Sequence, residues 1–387
     1  MFISPKAQKL SPLLKYPGGK DKELIHILPN IPTQAQNYYE PFVGGGAVFF
    51  ALSADNYYLN DRSCELMQLY RLVKERNSDF LHYLTQIDHN WQLVSNVVTD
   101  HAGEIRTIYD AYCCDTSNIQ LLRDSVSAFV LRNADEFNGL LSTDFNVGIQ
   151  NFVSELIRNF SGKIVRMKQL EEVHGELSPA DFLQNIECAF KSAFYMHFRY
   201  LYNHAGTLGI GPSFYTAIYF FLREFCYSSM FRYNAKGQFN VPYGGISYNR
   251  KTLTRKIDYF SSSELLTQLE HTQLSCLDFE DFLRQLPPQA DDFMFLDPPY
   301  DTEFSTYAKN TFGQADQQRL AIYLKNECPC FFMLIIKKTP FVEELYPNGI
   351  AVHGGRKLCV SEFSKKYFVS FQNRNDKDAS HLLITNY

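Results

Sequence analysis

Short apolar runs that alternate with helical patterns mark the two ends of the chain. Runs with the length and apolar content of buried strands cover residues 38–39, 56–60, 273–277, 293–296 and 330–336. Helical spacing occurs at 23–28, 66–73 and 314–325. Two alternating runs, 367–371 and 381–385, are predicted to close the sheet as an antiparallel pair. The pattern predicts the α/β fold class.

The middle of the chain, from about residue 78 to 223, has mainly helical spacing. Phe190, Phe194 and Tyr195 recur there at helical intervals, and we predict that they are core residues rather than a platform for stacking bases. The clearest break lies at 206–212. We therefore predict an α/β domain made of residues 1–77 and 257–387, with an insertion at 78–256.

A hairpin signal follows the helical region. The tetrapeptide Asn-Ala-Lys-Gly at 234–237 lies between β-forming residues, and Gly237 supplies the positive φ that such a turn needs. The predicted hairpin covers about residues 231–244. It belongs to a basic segment, 223–256, in which Glu224 is the single acid.

A basic two-stranded ribbon has dimensions that fit the major groove of DNA. Arg232 could read a guanine edge, and Lys236, Arg250 and Lys251 suit phosphate contacts. A solvated charged hairpin is the alternative for this segment taken alone. The residues that we predict to contact DNA are Tyr227, Ser228, Arg232, Asn234, Lys236, Asn240, Arg250 and Lys251.

Composition changes this picture little. The chain has 387 residues, a net charge of −5 and 45% hydrophobic residues, so it can build a sizeable core. Its nine cysteines include no C-x-x-C, which predicts reduced thiols rather than a disulfide framework or a zinc site. The histidines lack metal-binding spacing, so we predict no metal. With no signal peptide and no long uncharged run, a soluble cytoplasmic protein is expected.

Two glycine-containing loops indicate a small-molecule site. The loop Lys-Tyr-Pro-Gly-Gly-Lys at 15–20 precedes a helical pattern, and Lys20 suits a small carboxylate, because the spacing is not that of a phosphate loop. A second loop carries three glycines at 44–46 and leads into an apolar stretch that we predict to begin a helix. Asp61 follows the next strand and is placed to bind ribose hydroxyls, with helix N-capping as the alternative.

Acids follow two further predicted strands. Asp297 follows the strand 293–296, and the prolines after it force the chain out of the sheet as a stiff turn. Asp297 and the Pro298 carbonyl suit the two hydrogens of a planar exocyclic amine, and Tyr300 suits the face of its base. Asp278 follows strand 273–277. It is predicted to accept a hydrogen bond from a cofactor's adenine amino group, or else to cap the next helix.

Five motifs occur in one order along the chain: KYPGGK at 15–20, EPFVGGGAVFF at 40–50, YLND at 58–61, FRYNAKGQFNVPYG at 231–244 and DPPY at 297–300. Together they resemble the Dam-like family of S-adenosylmethionine-dependent DNA adenine-N6 methyltransferases, and the resemblance runs nearly end to end. It implies a Rossmann-like methyltransferase sheet and a mainly helical target-recognition insertion with a DNA-reading hairpin. It also implies methyl transfer to an adenine that is flipped out of duplex DNA.

The resemblance also implies roles for single residues. Tyr16 and Lys20 are expected at the methionine end of S-adenosylmethionine, and Asp61 at its ribose. The implied cofactor-binding set is Tyr16, Lys20, Phe42, Gly44, Gly45, Gly46, Asp61, Asp278, Phe279 and Asp297. The implied catalytic set is Asp297, Pro298, Pro299 and Tyr300.

Three other functions remain open. A cytosine-N4 methyltransferase would use the same amine chemistry but more often carries Ser before the two prolines. A protein glutamine methyltransferase gives no reason for the basic hairpin, and a non-catalytic DNA-binding protein gives none for the cofactor motifs.

Ser228-Ser229 stand where GATC-specific members tend to carry Asn-Gly, so the target site stays open. A monomer is expected, with a separate restriction endonuclease as a possible partner.

Overall fold

The computed structural model describes residues 2–16, 18–299, 312–366 and 378–387, and the chain divides into two compact units. Unit 1 comprises Met1–Glu75 and Ser262–Tyr387, and unit 2 comprises Arg76–Ser261. Tyr300 and the predicted strand 367–371 lie outside the described residues.

The strands of unit 1 are short and mostly buried. They are β1 Ser4–Pro5, β2 Tyr38–Glu40, β3 Leu52–Ser53, β4 Tyr57–Asn60, β5 Thr272–Ser275, β6 Phe293–Leu296, β7 Phe331–Lys337, β8 Cys359–Lys366 and β9 Asp378–Thr385. Seven of them form one sheet in the order β5-β4-β2-β6-β7-β9-β8. The first five run parallel, β9 is antiparallel to β7, and β8 is antiparallel to β9. This confirms the predicted α/β fold class. The predicted run 381–385 lies in β9 and pairs with β7 and β8, whereas its predicted partner 367–371 lies outside the described residues.

The helices are numbered along the whole chain. Those of unit 1 are α1 Leu24–Ile27, α2 Cys64–Lys74, α13 Ser263–Glu270, α14 Phe279–Gln285, α15 Gln314–Asn326 and α16 Pro340–Leu345. Those of unit 2 are α3 Ser78–Asp100, α4 Ala102–Cys114, α5 Ile119–Arg132, α6 Ala134–Gly139, α7 Ser142–Phe145, α8 Ile149–His174, α9 Pro179–Asn203, α10 Ala205–Leu208, α11 Pro212–Phe225 and α12 Thr254–Phe260.

The order of the sheet fixes where a ligand can bind. From β2 the chain moves outward on one side to β4 and β5, and on the other side from β6 to β7, so the direction of the connections reverses between β2 and β6. In open α/β sheets, ligands bind outside the carboxyl ends of the strands at such a reversal. The loop with glycines at 44–46 follows β2, and Asp297 follows β6. This glycine loop and the turn after Asp297 therefore both leave the sheet at the reversal.

One local prediction for unit 1 is wrong. The apolar stretch after the three glycines forms only a single 3-10 turn, Phe49–Ala51, instead of beginning an α-helix. All three residues of the turn are buried, and the chain then enters β3, which pairs with β1. A stretch that is apolar on every side lacks the polar face of a surface helix, and here it fills the interior instead.

The cysteine prediction is also wrong for one pair. Cys64 at the start of α2 and Cys276 just after β5 form a disulfide, with Cα atoms 5.6 Å apart. The two residues are 212 positions apart, so no local spacing could have indicated the bond. The other seven cysteines are free.

We expect a thiol reagent to titrate seven cysteines in the denatured, unreduced protein and all nine after reduction. The Cys64→Ser variant should expose one more thiol than the unreduced wild-type protein, although it has one cysteine fewer in all, because Cys276 loses its partner. Nine reactive thiols before reduction would show that the bond does not form.

Unit 2 is built around aromatic side chains of its long helices. Trp91 of α3 packs edge to face against Phe194 of α9 and Phe225 of α11. Phe190 and Tyr195 are also buried, which confirms that the aromatic residues of α9 belong to the core. No helix in the described part of the chain is long and apolar enough to cross a membrane.

Candidate functional site

Asp297 is held by a buried lysine from the first loop of the chain. It follows β6 directly, and its side chain is 20% exposed. The Lys20 ammonium, only 3% exposed, forms an ion pair with Asp297 and donates a hydrogen bond to the Gly18 carbonyl at 3.0 Å. Such pairing is what makes a buried ammonium tolerable. The carboxylate that Lys20 contacts in this structure is therefore one of the protein's own.

The turn after Asp297 is fixed from behind by α15. Pro298 is buried, whereas Pro299 is exposed, and the Pro299 carbonyl accepts a hydrogen bond from Gln317 Nε2 at 2.9 Å. Gln317 is fully buried. Beyond its place in a predicted helix, no local pattern indicates Gln317, because its contact depends on how α15 packs.

The glycine turn after β2 fits closely against aromatic rings. Gly44 and Gly46 have positive φ angles of 48° and 71°. A Cβ at Gly46 would lie 2.6 Å from the Tyr70 hydroxyl, and one at Gly44 would lie 3.2 Å from the ring of Tyr16. Glycine is therefore required at Gly46 by space as well as by conformation. The same contact places Tyr16 against the glycine turn.

Asp61 connects the glycine turn to the end of β4. Its Oδ2 accepts a hydrogen bond from the Gly44 N–H, and its Oδ1 accepts one from the Ser63 N–H, both at 2.9 Å. Burial raises the pKa of Asp61, and these two hydrogen bonds act in the opposite direction. The N-cap of α2 is Ser63 rather than Asp61. Each carboxylate oxygen keeps a further lone pair for a ligand hydroxyl.

A second buried acid, Glu40, ends β2 beside this site. Its carboxyl group accepts a hydrogen bond from the Tyr38 hydroxyl at 2.9 Å. Burial raises the pKa of Glu40 well above its usual value, and the negative charges of Asp297 and Asp61 add to the shift. A neutral Glu40 is thus favoured next to the two other acids.

Asp278 does cap a helix. It is the N-cap of α14, where its side chain accepts a hydrogen bond from the Glu280 N–H at 3.1 Å. Arg319 binds both of its oxygens, at 3.2 and 3.1 Å. Burial acts to raise the pKa of Asp278, but the hydrogen bonds from Arg319 and Glu280 lower it overall. The sequence did not indicate Arg319, and a contact from Asp278 to a cofactor stays a prediction.

Phe279 belongs to a small aromatic cluster. Its ring centroid lies 5.7 Å from that of Phe42 and 6.1 Å from that of Phe312. Phe279 is buried, whereas Phe42 is partly exposed. Of Phe42 and Phe279, Phe42, from the loop after β2, is therefore the one whose ring is accessible to a ligand.

The predicted hairpin of unit 2 is present, although its two segments pair at single bridges rather than as regular strands. Tyr233 pairs with Phe239 in antiparallel fashion, and the Asn240 N–H donates to the Arg232 carbonyl at 3.1 Å. Gly237 has a φ of 72°, as the turn prediction requires.

The two faces of the hairpin differ in character. Phe231 and Phe239 are buried and stack at 4.3 Å. On the alternate positions, Arg232 is exposed and Asn240 is half-buried, and Arg232 Nε donates to Asn240 Oδ1 at 3.3 Å. Alternation along paired segments thus separates an apolar anchor from a polar face.

The remaining predicted DNA contacts fall into two groups. Tyr227, Ser228, Lys236 and Arg250 are exposed. Asn234 instead shapes the turn, because its Oδ1 accepts from the backbone N–H groups two and four residues ahead, both at 3.0 Å.

Lys251 is bound by an acid within unit 2. Its ammonium group donates to the Glu224 carboxylate at 2.7 Å and also to the Glu224 carbonyl. It lies over the ring of Phe225 as well, at 5.2 Å from the centroid. Unit 2 thus uses the charge of Lys251 internally, and a contact from Lys251 to phosphate stays a prediction.

The backbone at Ser228 and Ser229 is unusual. Both residues have positive φ angles, 54° and 52°. Non-glycine residues seldom adopt this region, and Asn and Gly tolerate it best. The two serines occupy the positions where the resemblance leads one to expect Asn-Gly in GATC-specific members. Strained backbone of this kind tends to occur at functional sites.

Comparison with known proteins gives the family. The family described as D12 class N6 adenine-specific DNA methyltransferase matches residues 16–99 and 126–356. The type II methyltransferase M.CviBI of Paramecium bursaria Chlorella virus NC1A is 23% identical over 98% of this chain and 100% of its own length. The type II methyltransferase M1.LlaDCHI of Lactococcus lactis subsp. cremoris is 25% identical over 88% of this chain and 85% of its own length.

A DNA adenine methylase of Serratia marcescens is also similar, with 24% identity over 80% of this chain and 75% of its own length. The family match covers both the glycine turn and Asp297. It also covers the hairpin, so it includes all three of the regions described above. The chain belongs to the family of D12 class N6 adenine-specific DNA methyltransferases.

Proposed function

We propose that this enzyme uses S-adenosylmethionine to methylate the N6 amine of an adenine that it flips out of duplex DNA at a specific site. The observation that carries the proposal is the position of Asp297. It stands at the carboxyl end of β6, where the sheet connections reverse, with its carboxylate oriented by Lys20. Chemistry on a base requires the base to leave the stack, and the turn after β6 is where we propose that the flipped base binds.

The residues around β2 and β4 fit S-adenosylmethionine. The glycine turn leaves no room for side chains, so a ligand can lie close to its backbone. Asp61 offers carboxylate lone pairs for ribose hydroxyls, and the Lys20–Asp297 pair offers both charges for an amino-acid zwitterion. Phe42 offers a partly exposed ring for the adenine. Bound there, S-adenosylmethionine would supply an electrophilic methyl group on its sulfonium sulfur.

The protein's part in the reaction is to orient the amine. The exocyclic nitrogen of adenine is a poor nucleophile, because its lone pair is delocalised into the ring. We infer that the Asp297 carboxylate and the Pro298 carbonyl accept its two hydrogens, which favours a tetrahedral nitrogen with a localised lone pair. The positive charge of Lys20 favours the ionised form of Asp297, which is an acceptor. Tyr300 is proposed to stack on the base.

The hairpin of unit 2 is proposed to bind the duplex. Its exposed Arg232 is held by Asn240, an arrangement that presents a guanidinium fork suited to a guanine edge. Lys236 and Arg250 are exposed and suit phosphates, so binding should weaken as salt rises. In this proposal residues 78–256 recognise the target, and residues 1–77 and 257–387 carry out the methyl transfer.

The biological setting follows from the relatives by analogy. Two of them are named type II methyltransferases, so we propose that this enzyme can serve a restriction-modification system beside a separate endonuclease. A cytoplasmic monomer associated with the nucleoid through DNA is the state in which such an enzyme would act.

Expression in cells that lack adenine methylation tests the proposal. We expect sequencing of the host DNA to detect N6-methyladenine in one short sequence context, and none with the empty vector. Purified enzyme should transfer methyl groups from labelled S-adenosylmethionine to duplex DNA of that sequence. Methylation of cytosine instead, or failure of the purified protein to bind S-adenosylmethionine, would contradict the proposal.

A further inference from the structure

We propose that Asn60 is a positioning residue that sets the shape of the cofactor pocket on its adenosine side. It is the last residue of β4, it is 1% exposed, and its side-chain amide is fully used. Its Nδ2 donates to the carbonyls of Pro41 and Leu277, both at 3.0 Å, and its Oδ1 accepts from the Leu277 N–H at 2.9 Å. One side chain thus joins the loops that follow β2 and β5 to the end of β4.

Each joined segment leads directly to a residue of the proposed pocket. Pro41 precedes Phe42, Asn60 precedes Asp61, and Leu277 precedes Asp278. The three strands are neighbours in the sheet, in the order β5-β4-β2. A ring, a ribose-binding acid and a second acid are therefore held at fixed spacing by the Asn60 amide, although Asn60 itself need not touch the cofactor.

The geometry of the amide makes this role specific. Two donors and one acceptor, all directed at backbone groups of the loops after β2 and β5, match a planar amide of this length. Leu277 lies 217 positions from Asn60, so no local structure replaces the link. The Cys64–Cys276 disulfide also joins the segments that follow β4 and β5, near the surface. Of these two connections, the one made by Asn60 is buried.

The inference rests on the proposed function, and it is tested by the affinity for S-adenosylhomocysteine, the demethylated cofactor. We expect Asn60→Asp to weaken binding of S-adenosylhomocysteine about 10- to 100-fold at pH 8, and to raise the KM for S-adenosylmethionine by a similar factor. At saturating cofactor, kcat should stay within about 3-fold of wild type, since Asp297 and its turn are not among the groups that Asn60 binds. DNA affinity should be unchanged.

A pH profile separates positioning from general damage. A carboxyl group buried at this position is expected to titrate well above its usual range. Once protonated it offers one donor and one acceptor, which restores one of the two donated hydrogen bonds. The affinity of Asn60→Asp should therefore rise part of the way to the wild-type value as the pH falls from about 8.5 to about 5.5. The Asn60→Leu variant has no such group and should show no recovery. If Asn60→Leu does not fold, the Asp variant alone decides.

Asn386 provides a matched control. It is also 1% exposed, its Nδ2 donates to the Cys330 carbonyl and its Oδ1 accepts from the Phe332 N–H, both at 2.9 Å. Its hydrogen bonds lie at the amino end of β7, whereas the proposed site lies at the carboxyl ends of the strands. Asn386→Asp should lower the melting temperature but leave cofactor affinity and its pH dependence as in wild type.

The outcomes distinguish the inference from the function on which it rests. If wild-type protein does not bind S-adenosylhomocysteine, the proposed function fails. If wild type binds it but Asn60→Asp binds equally well, or if Asn386→Asp weakens binding as much, the positioning role of Asn60 is refuted. Loss confined to Asn60→Asp and partly reversed by acid supports it.

Discussion

Replacing Asp297 by Asn is expected to lower kcat for adenine methylation at least about 1,000-fold. Removal of one preorganised hydrogen-bonding group at a reacting centre lowers kcat about 100- to 1,000-fold. Asp297→Asn has two effects beyond the loss of such a group. The amide replaces an ionised acceptor with a group that can donate toward the amine, and it removes the ion pair that Asp297 forms with the buried Lys20 ammonium. Single-turnover methylation of a duplex containing the target measures the effect.

Asp292 provides the control for this variant. It is a buried acid at the other end of the same strand, and it accepts hydrogen bonds from Asn37 and Gln289. Asp292→Asn should reduce stability but leave kcat within about 3-fold of wild type, because β6 separates it from the reacting end. DNA affinity should survive in both variants. Turnover of Asp297→Asn within 10-fold of wild type would remove Asp297 from the mechanism.

Arg232→Ala is expected to relax the sequence specificity of methylation. A good bidentate contact from Arg to guanine contributes about 1–3 kcal/mol of discrimination, which is about 5- to 150-fold between the right and the wrong base. Asn240 orients Arg232 on the exposed face of the hairpin. Loss of the Arg232 side chain should therefore reduce discrimination mainly at one base pair. Sequencing the methylated sites in a pool of random duplexes should show one position of the recognised sequence becoming degenerate.

Lys236→Ala is the matched control, since Lys236 is an exposed cation in the same hairpin. It should weaken binding to all duplexes alike and reduce the slope of log affinity against log salt by about 1, without changing the recognised sequence. An unchanged sequence preference in Arg232→Ala would show that Arg232 contacts only the backbone of DNA or no DNA at all.

Both predictions depend on side chains that are held in place before any ligand arrives. Lys20 orients Asp297, Gln317 fixes the following turn, and Asn240 holds Arg232. Preorganisation of this kind lowers the cost of ordering groups when the substrate binds. The supporting residues are therefore expected to matter nearly as much as the residues that they orient.

Most elements of the fold and their order can be predicted from the residues alone. Strand β6 was predicted at its observed bounds, α15 within one residue of them, and Gly237 was correctly expected to have a positive φ. These features depend on neighbours close in the chain: an apolar run, a helical period and a turn of four residues. The motifs likewise indicated the family, because each is a contiguous segment.

How those segments meet depends on contacts between residues far apart in the chain. The Asn60 bridge, the Cys64–Cys276 disulfide and the Lys20–Asp297 pair join residues more than 200 positions apart, and Lys251 proved to be committed to Glu224. The short turn at 49–51 likewise formed because its residues fill a space that distant segments enclose. Local patterns record which groups face the interior or end a strand. The partner that each group meets is set by the packing of elements far apart in the chain, and no periodicity reports it.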